Sequence, residues 1–375
     1  MRIRSAAGLL GAVAGIGVLL ALPAPARPAA VPASGPAALS GAPATSDGEP
    51  TLAQVWPHAH TFDFPATLPD GSAMNPIAIV DPDLVVAAVT DAASTRFTLA
   101  TVAPAGSVRV LETRAAADAP SVDGFTATGT DFYWMDTVSD TAGTAHTRLL
   151  RAARAGGTPS LVTADVGRPL FANSRYDVQA VDGRLYWVAS GAGQRTELRS
   201  VALAGGPVAV RPLPGNLVLT AWPWLTSSPG ATGSQVELVN LLTGVHRRVP
   251  VPANEQLTCT PAWCRMLAAN VQDATEVDLV RPDGTDRRRI GGAQDSAVAD
   301  DVALRDRFEV LATPTPTSSP AIVIELLRVY DIAARRGVLL SPAASNSGAR
   351  GDYVWWSTGD NETLAWHALD LRTLS

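Results

Sequence analysis

One pattern returns about every 45 residues through most of this 375-residue sequence, and few folds accept such a chain. Short β-rich runs open on a charged residue and continue apolar or aromatic: Asp83–Val89, Asp131–Met135, Arg184–Val188, Arg307–Leu311 and Asp352–Trp356. A polar or Gly-rich gap follows each. Then comes an alternating strand, as in 96–102, 147–151, 196–201, 235–239 and 275–280. Tight turns close the unit at Ala155-Gly-Gly157, Ala204-Gly-Gly206, Leu242-Thr-Gly244 and Pro282-Asp-Gly284. A short last element completes it at Val208–Val210, Val249–Val251 and Val338–Leu340. No long segment after Thr51 carries a clean 3.6-residue apolar period, so helices are not the building block.

The period fixes the architecture. One central residue from each second strand (Val85, Tyr133, Tyr186, Leu225, Met266, Val310, Val354) gives spacings of 48, 53, 39, 41, 44 and 44. Four-stranded propeller blades recur at roughly 40–50 residues. Seven units of 45 need 315 residues, and 51–375 supplies 325. The expected fold is therefore all-β: a single β-propeller of seven four-stranded blades over 51–375. The last unit offers strands at 353–357 and 363–371 and no fourth, while Gln54–Phe64 reads as a spare strand. That N-terminal strand would complete the last blade and remove exposed sheet edges. The least regular unit is 217–250, where Pro223 between Trp222 and Trp224 suits a central strand poorly. Six blades are the alternative count, and eight a more distant one.

The strands that run from a charged residue through aromatic or aliphatic ones to a Trp, as at 131–135, 184–188 and 352–356, with the Gly-Gly and Asp-Gly turns, resemble secreted propeller repeat proteins. The type is TolB-like and WD40-like, as found in high-GC, actinobacterial species. The resemblance covers about 325 residues. The Gly-His and Trp-Asp pairs of a strict WD40 repeat are absent. What the resemblance implies is a propeller that acts through protein contacts rather than chemistry.

The N-terminus reads as an address. Arg2 and Arg4 precede an uncharged apolar stretch from Ser5 to Leu22 and the small-residue site Ala24-Pro25-Ala26. This is the pattern of a secretory signal peptide over 1–26, with an uncleaved anchor as the alternative. The two arginines are not adjacent, so a twin-arginine route is not indicated. Residues 27–50 are Pro, Ala, Ser and Gly with almost no large apolar group, and read as a disordered tether. The expected location is secreted or extracytoplasmic, in the cell envelope of a bacterium.

Charge excludes one class of partner. All 29 basic residues are Arg, against 35 acids, for a net charge of −6. A nucleic-acid binder would carry a basic excess or stripe. The arginine runs 247–248, 287–289 and 335–336 fall where outer strands begin, and read as charged edge protection.

Catalytic signatures are missing. There is no G-x-S-x-G, no S-x-x-K with a plausible partner set, no P-loop, no G-x-G-x-x-G and no H-E-x-x-H. Cys259 and Cys264, in CTPAWC, are the only cysteines, and an exported chain would pair them across adjacent strands of one blade. Zinc would need two more soft ligands nearby. His58 and His60 would share one side of a strand, a spacing open to copper or zinc, but no Asp or Cys accompanies them. Asp81 with Asp83, Asp118 with Asp123, and the group Asp295, Asp300, Asp301 and Asp306 lie where loops would face the central channel. Such carboxylates could hold Ca²⁺ or run glycoside chemistry, although Asp also simply starts turns. No cofactor is otherwise expected. Of nine tryptophans, Trp134, Trp187 and Trp355 recur at one place in their units and read as core. Trp222, Trp224 and Trp263 are less regular and are the candidates to stack on a ligand.

The sequence thus points to a monomeric, non-catalytic propeller that binds a protein or envelope component. The alternative is an exported lactonase, lyase or glycosidase using channel-mouth carboxylates, with calcium where the mechanism needs it.

Overall fold

A computed structural model describes residues 48–375, except 141, 194, 228–234, 254, 270–274, 316–322 and 360–362. The expected signal peptide, and all of the expected tether but its last three residues, lie outside the described residues.

The first strand, β1 (Thr61–Pro65), belongs to the last blade. Blade 1 holds β2 (Ala73–Asp81), β3 (Leu84–Thr90), β4 (Arg96–Val102) and β5 (Val108–Ala115). Blade 2 holds β6 (Ser121–Ala127), β7 (Asp131–Ser139), β8 (Ala145–Ala153) and β9 (Ser160–Thr163). Blade 3 holds β10 (Gln179–Val181), β11 (Arg184–Ser190), β12 (Arg195–Ala202) and β13 (Ala209–Pro214). Blade 4 holds β14 (Leu217–Leu219), β15 (Trp224–Ser227), β16 (Gln235–Asn240) and β17 (His246–Pro250). Blade 5 holds β18 (Glu255–Cys259), β19 (Cys264–Ala269), β20 (Thr275–Val280) and β21 (Arg288–Gly291). Blade 6 holds β22 (Ser296–Ala297), β23 (Phe308–Pro314), β24 (Glu325–Asp331) and β25 (Arg336–Ala344). Blade 7 holds β26 (Asn346–Arg350), β27 (Tyr353–Thr358) and β28 (Ala365–Asp370), and β1 pairs with β28 to complete it.

The protein is therefore a seven-bladed propeller of antiparallel four-stranded sheets, closed by its N-terminal strand as the spacing predicts. Each of the seven central residues used to measure the period lies in the second strand of its blade.

Packing explains the sequence pattern. Seven apolar clusters occur among the described residues, one between each pair of neighbouring blades, including blade 7 against blade 1. Successive residues of a strand point to opposite faces. In β3, Val85 enters the cluster shared with blade 7 and Val86 the cluster shared with blade 2. In β7, Trp134 faces blade 1 and Tyr133 faces blade 3. Second strands are buried on both faces, which is why they read as continuous apolar runs rather than alternations. Trp134 and Trp187 are fully buried, and Trp355 is buried at the seam between blades 7 and 1, where the Trp366 Nε1 also donates to the Met74 carbonyl.

Two local expectations need correction. The spare strand is shorter than Gln54–Phe64: a single helical turn, α1 (Leu52–Val55), comes first and only Thr61–Pro65 pairs. Trp56 is buried edge-on against Phe308, which draws the chain out of the sheet, and Pro57 has no N–H to offer a ladder. Trp222 and Pro223 are not strand residues. They sit in the turn between β14 and β15, where the Thr220 N–H donates to the Trp224 carbonyl and the Trp224 N–H to that of Ala221. Upstream, the Glu49 side chain is covered against Arg328, and the Leu339 N–H donates to the Pro50 carbonyl, so the chain from residue 49 packs on blade 6.

Candidate binding site at the central channel

First strands form the inner ring, because first strands of non-neighbouring blades touch. Arg350, at the end of β26 in blade 7, donates 2.7 Å to the carbonyl of Phe125 in β6 of blade 2. In blade 3 the inner strand is broken. Residues 168–170 pair with 188–190, through Leu170 N–H to Val188 carbonyl and Ser190 N–H to Arg168 carbonyl. Pairing resumes only at Gln179, opposite Tyr186. Eight residues, 171–178, therefore stand where one would suffice, and they loop into the channel.

The insertion holds its own shape. The Asp177 carboxylate accepts from the backbone N–H groups of Ala172 (2.9 Å) and Ser174 (3.1 Å), and the Ser174 hydroxyl accepts from the Tyr176 N–H. Gln179 ties its far end to blade 4 by donating to the Thr220 carbonyl and accepting from the Trp222 N–H. The insertion also crosses the ring. The Arg175 N–H donates 3.1 Å to Asp301 of blade 6, and the Arg175 side chain packs on Gly351 beside blade 7. Gly124 in β6 makes room for it. A Cβ there would stand 2.8 Å from Val178, and φ is +63°.

Charges gather under the insertion as pairs. Glu309, fully buried, lies 2.8 Å from Arg265, and accepts from the Ala303 N–H. Arg265 also donates to the carbonyls of Ala299 and Asp301. Burial pushes the carboxyls of Asp301 and Glu309 up, against the pull of the arginines. It pushes Asp177 up to about 6, beyond what its two backbone donors offset. Burial lowers Arg350 from its ordinary value, with Asp301 and Asp177 pulling the other way.

The crossing leaves a cavity on each side. One, of about 240 Å³, is lined by Ser174 and Tyr176 of the insertion, Thr220 and Thr226 of blade 4, Gln256 and Thr258 of blade 5, and Asp300. Hydroxyls and amides share its wall with apolar Val218, Leu219, Leu267 and Val302. The other, of about 460 Å³, is lined by strand ends of blades 1, 2 and 7 and by Arg154, Arg175 and Arg350. Both are of a size to take part of a small ligand or chain end.

The residues singled out in the sequence fall in several places. Cys259 and Cys264 form a disulfide joining β18 to β19 within blade 5, and Cys259 borders the smaller cavity. Trp263 cannot stack on a ligand: it is 1% exposed, with Arg281 and Arg288 guanidinium groups over its ring at 3.6 and 5.3 Å. Trp222 is half-buried against Tyr186, with ring centroids 4.3 Å apart, and Trp224 lies under Arg247. Neither lines either cavity. The four carboxylates 295–306 do not converge: Asp295 is bonded to Arg328 and Thr313, Asp301 to Arg175, and Asp306 is exposed. Asp81 pairs with Arg154, whereas Asp83 and Asp118 are exposed. His58 and His60 are exposed outside β1. No group of three or more His, Cys, Asp or Glu placed to hold a metal occurs among the described residues. None of their helices is long and apolar enough to cross a membrane.

The insertion itself went unseen in the sequence, and with it Arg175, Tyr176, Asp177 and their partners Arg265, Glu309 and Arg350. One signal was available. The Tyr133–Tyr186 spacing of 53 is the longest of the six, eight above the mean, and the insertion is eight residues long.

No family model matches the chain, and no curated protein matches it. Solved structures do. A prolyl endopeptidase is similar over 81% of this chain and 49% of its own, at 13% identity and TM-score 0.52. The WD40 domain of SCAP from fission yeast is similar over 81% and 99%, at 8% identity and TM-score 0.43. TolB from Acinetobacter baumannii is similar over 80% and 78%, at 13% identity and TM-score 0.35. The chain spans about half the length of the prolyl endopeptidase it matches. At these identities the likeness is one of fold.

Proposed function

We propose that this chain is an extracytoplasmic binding propeller, which engages a polar group of a protein or envelope component at its central channel. The observation that carries this reading is the insertion 171–178. It leaves two small cavities at the channel, is held in shape by Asp177, and is fixed across the ring by the Arg175 N–H on Asp301. A blade does not need such a loop for its ladder, since the inner strand of blade 5 pairs residue for residue without one. The Arg2/Arg4 leader and the small-residue site at 24–26 support export.

A second reading, an exported lyase or glycosidase, draws on Asp300. This carboxyl lines the smaller cavity, and burial raises it above its ordinary value. Acid–base chemistry would need a partner carboxyl free to exchange a proton. Asp301, which lines the same cavity, accepts the Arg175 N–H through one oxygen only, and Glu309 is paired with Arg265. The arrangement therefore favours binding over turnover.

The test is site-directed photocrosslinking in the native envelope. A photoreactive residue replaces Thr258 in the smaller cavity or, as control, exposed Leu161 on the outer strand β9. The expected result is a discrete adduct from position 258 that Tyr176→Ala weakens. Adducts from position 161 alone, or none from position 258, would overturn the reading.

A further inference from the structure

Arg350 has more hydrogen-bonding capacity than the protein uses. A guanidinium presents five N–H donors in a planar fork. Among the described residues the Arg350 side chain makes one hydrogen bond, to the Phe125 carbonyl, and no ion pair within 4.0 Å. The acids that balance its charge are committed elsewhere. Asp177 accepts from two backbone N–H groups of the insertion, and Asp301 from the Arg175 N–H. Charge is thus compensated at a distance while the donors are left over.

Those donors border the larger cavity, together with Arg175 and Arg154. The one acid in its lining is already paired, Asp352 lying 2.6 Å from Arg305, and Arg154 is held by Asp81 at 2.7 Å. The rim carries Gly129 and Gly351. At Gly351, with φ +63°, a Cβ would stand 3.4 Å from Arg175 Nη1, so glycine leaves that guanidinium uncovered. The rest of the lining comes from the ends of β2 and β6, with Ala78, Ala127 and Thr126 beside the larger Ile79, Val80, Phe125 and Tyr353.

We infer that the Arg350 cavity is a binding site for a small oxyanion, the carboxylate or phosphate group of a ligand, held by the free edge of Arg350 with Arg175 beside it. A fork of parallel N–H groups fits such oxygens two at a time, and charge assistance strengthens each bond. The inference deepens the reading of the channel as a binding surface by naming what one half of it takes. Raising the salt concentration should weaken the site only modestly, since the guanidinium is partly enclosed.

The experiment is isothermal titration of the purified full chain with succinate and, separately, with inorganic phosphate. One or both should bind with 1:1 stoichiometry, and the stronger of the two identifies the source. Arg350→Gln should weaken binding at least tenfold. Thr126→Glu, which places a carboxylate in the cavity without touching any arginine, should do the same and serves if Arg350→Gln fails to fold. Absence of binding by both anions, or unchanged affinity in the variants that fold, overturns the inference. Neither outcome bears on crosslinking from position 258, so the two proposals fail separately.

Discussion

In blade 5 the inner strand pairs with its neighbour residue for residue, from Glu255 opposite Ala268 to Cys259 opposite Cys264, and a disulfide ties the end of the ladder. In blade 3 the corresponding ladder is cut at Trp187, and eight residues leave it for the channel. Both blades bury a tryptophan: Trp263 under two guanidinium groups in blade 5, Trp187 beside the cut in blade 3. This fold tolerates departure at its inner strands. Second and third strands carry the inter-blade cores, so their pattern is fixed. An inner strand has one edge on the channel, and there the ladder can be interrupted if the freed backbone groups find partners. Asp177, Ser174, Gln179 and Asp301 are those partners.

Loss of Trp187 should disturb blade 3 most. It is fully buried, and its Nε1 donates 2.9 Å to the Val166 carbonyl, just before the chain enters the interrupted strand. Trp187→Ala should cost about 3–5 kcal/mol through the cavity it leaves. It should also free the near end of the insertion. Denaturant unfolding would read the first effect, and faster hydrogen exchange at the Arg175 amide the second. A loss below about 1 kcal/mol would mean that the seam between blades 2 and 3 does not depend on this residue.

Asp177 tests the insertion alone. Replacing it with Ala orphans the buried N–H of Ser174 and the N–H of Ala172, at a cost of about 2 kcal/mol. The pH dependence follows from its raised value. A carboxyl held at about 6 in the fold and near the ordinary range of about 4 when unfolded binds its proton more tightly in the fold. Its contribution is full below about pH 4 and is lost as pH rises through about 6. The wild type should therefore melt higher at pH 5 than at pH 7.5, and Asp177→Ala should lose part of that difference, making its cost larger at pH 5. Asp136, also pushed up to about 6 by burial with Glu112 nearby, titrates in both proteins and cancels in the comparison. Parallel pH profiles would show that Asp177 is not the group that titrates.

How much of this was legible follows from the same contrast. Residues 131–135 and 353–356 announce their strands because both faces are buried, and burial on two sides leaves a run of large apolar residues that needs no partner sequence to interpret. The pairing of Cys259 with Cys264 was legible because only two cysteines exist and a turn lies between them. The insertion was not, because FANSRYDV is by composition an ordinary surface loop. Its meaning lies in contacts with Asp301, 126 positions away, and with Thr220, 41 from Gln179. Arg350 is harder still: a lone arginine at a strand end acquires its character from a carbonyl 225 positions away. Trp263 misled for the converse reason, since irregular placement in the repeat suggested a surface role while the guanidinium groups covering it come from Arg281 and Arg288.

Blade 5 supplies a control. The Cys259–Cys264 link spans a separation of only five residues, so it removes little freedom from the unfolded chain. The loop-closure relation gives about 2 kcal/mol as an upper figure for so short a ring. The ladder from Glu255 to Cys259 persists without it, since Thr260 accepts from the Trp263 N–H and its own N–H donates to the Trp263 carbonyl, closing the same turn. Cys259→Ser with Cys264→Ser should therefore cost about 1–2 kcal/mol and leave exchange at the Arg175 amide unchanged, whereas Asp177→Ala should accelerate exchange there. If removal of the disulfide also released the insertion, the two blades would be coupled through the wall of the smaller cavity, where Cys259 and Tyr176 meet the same space. The independence argued for the inner strands would then be wrong.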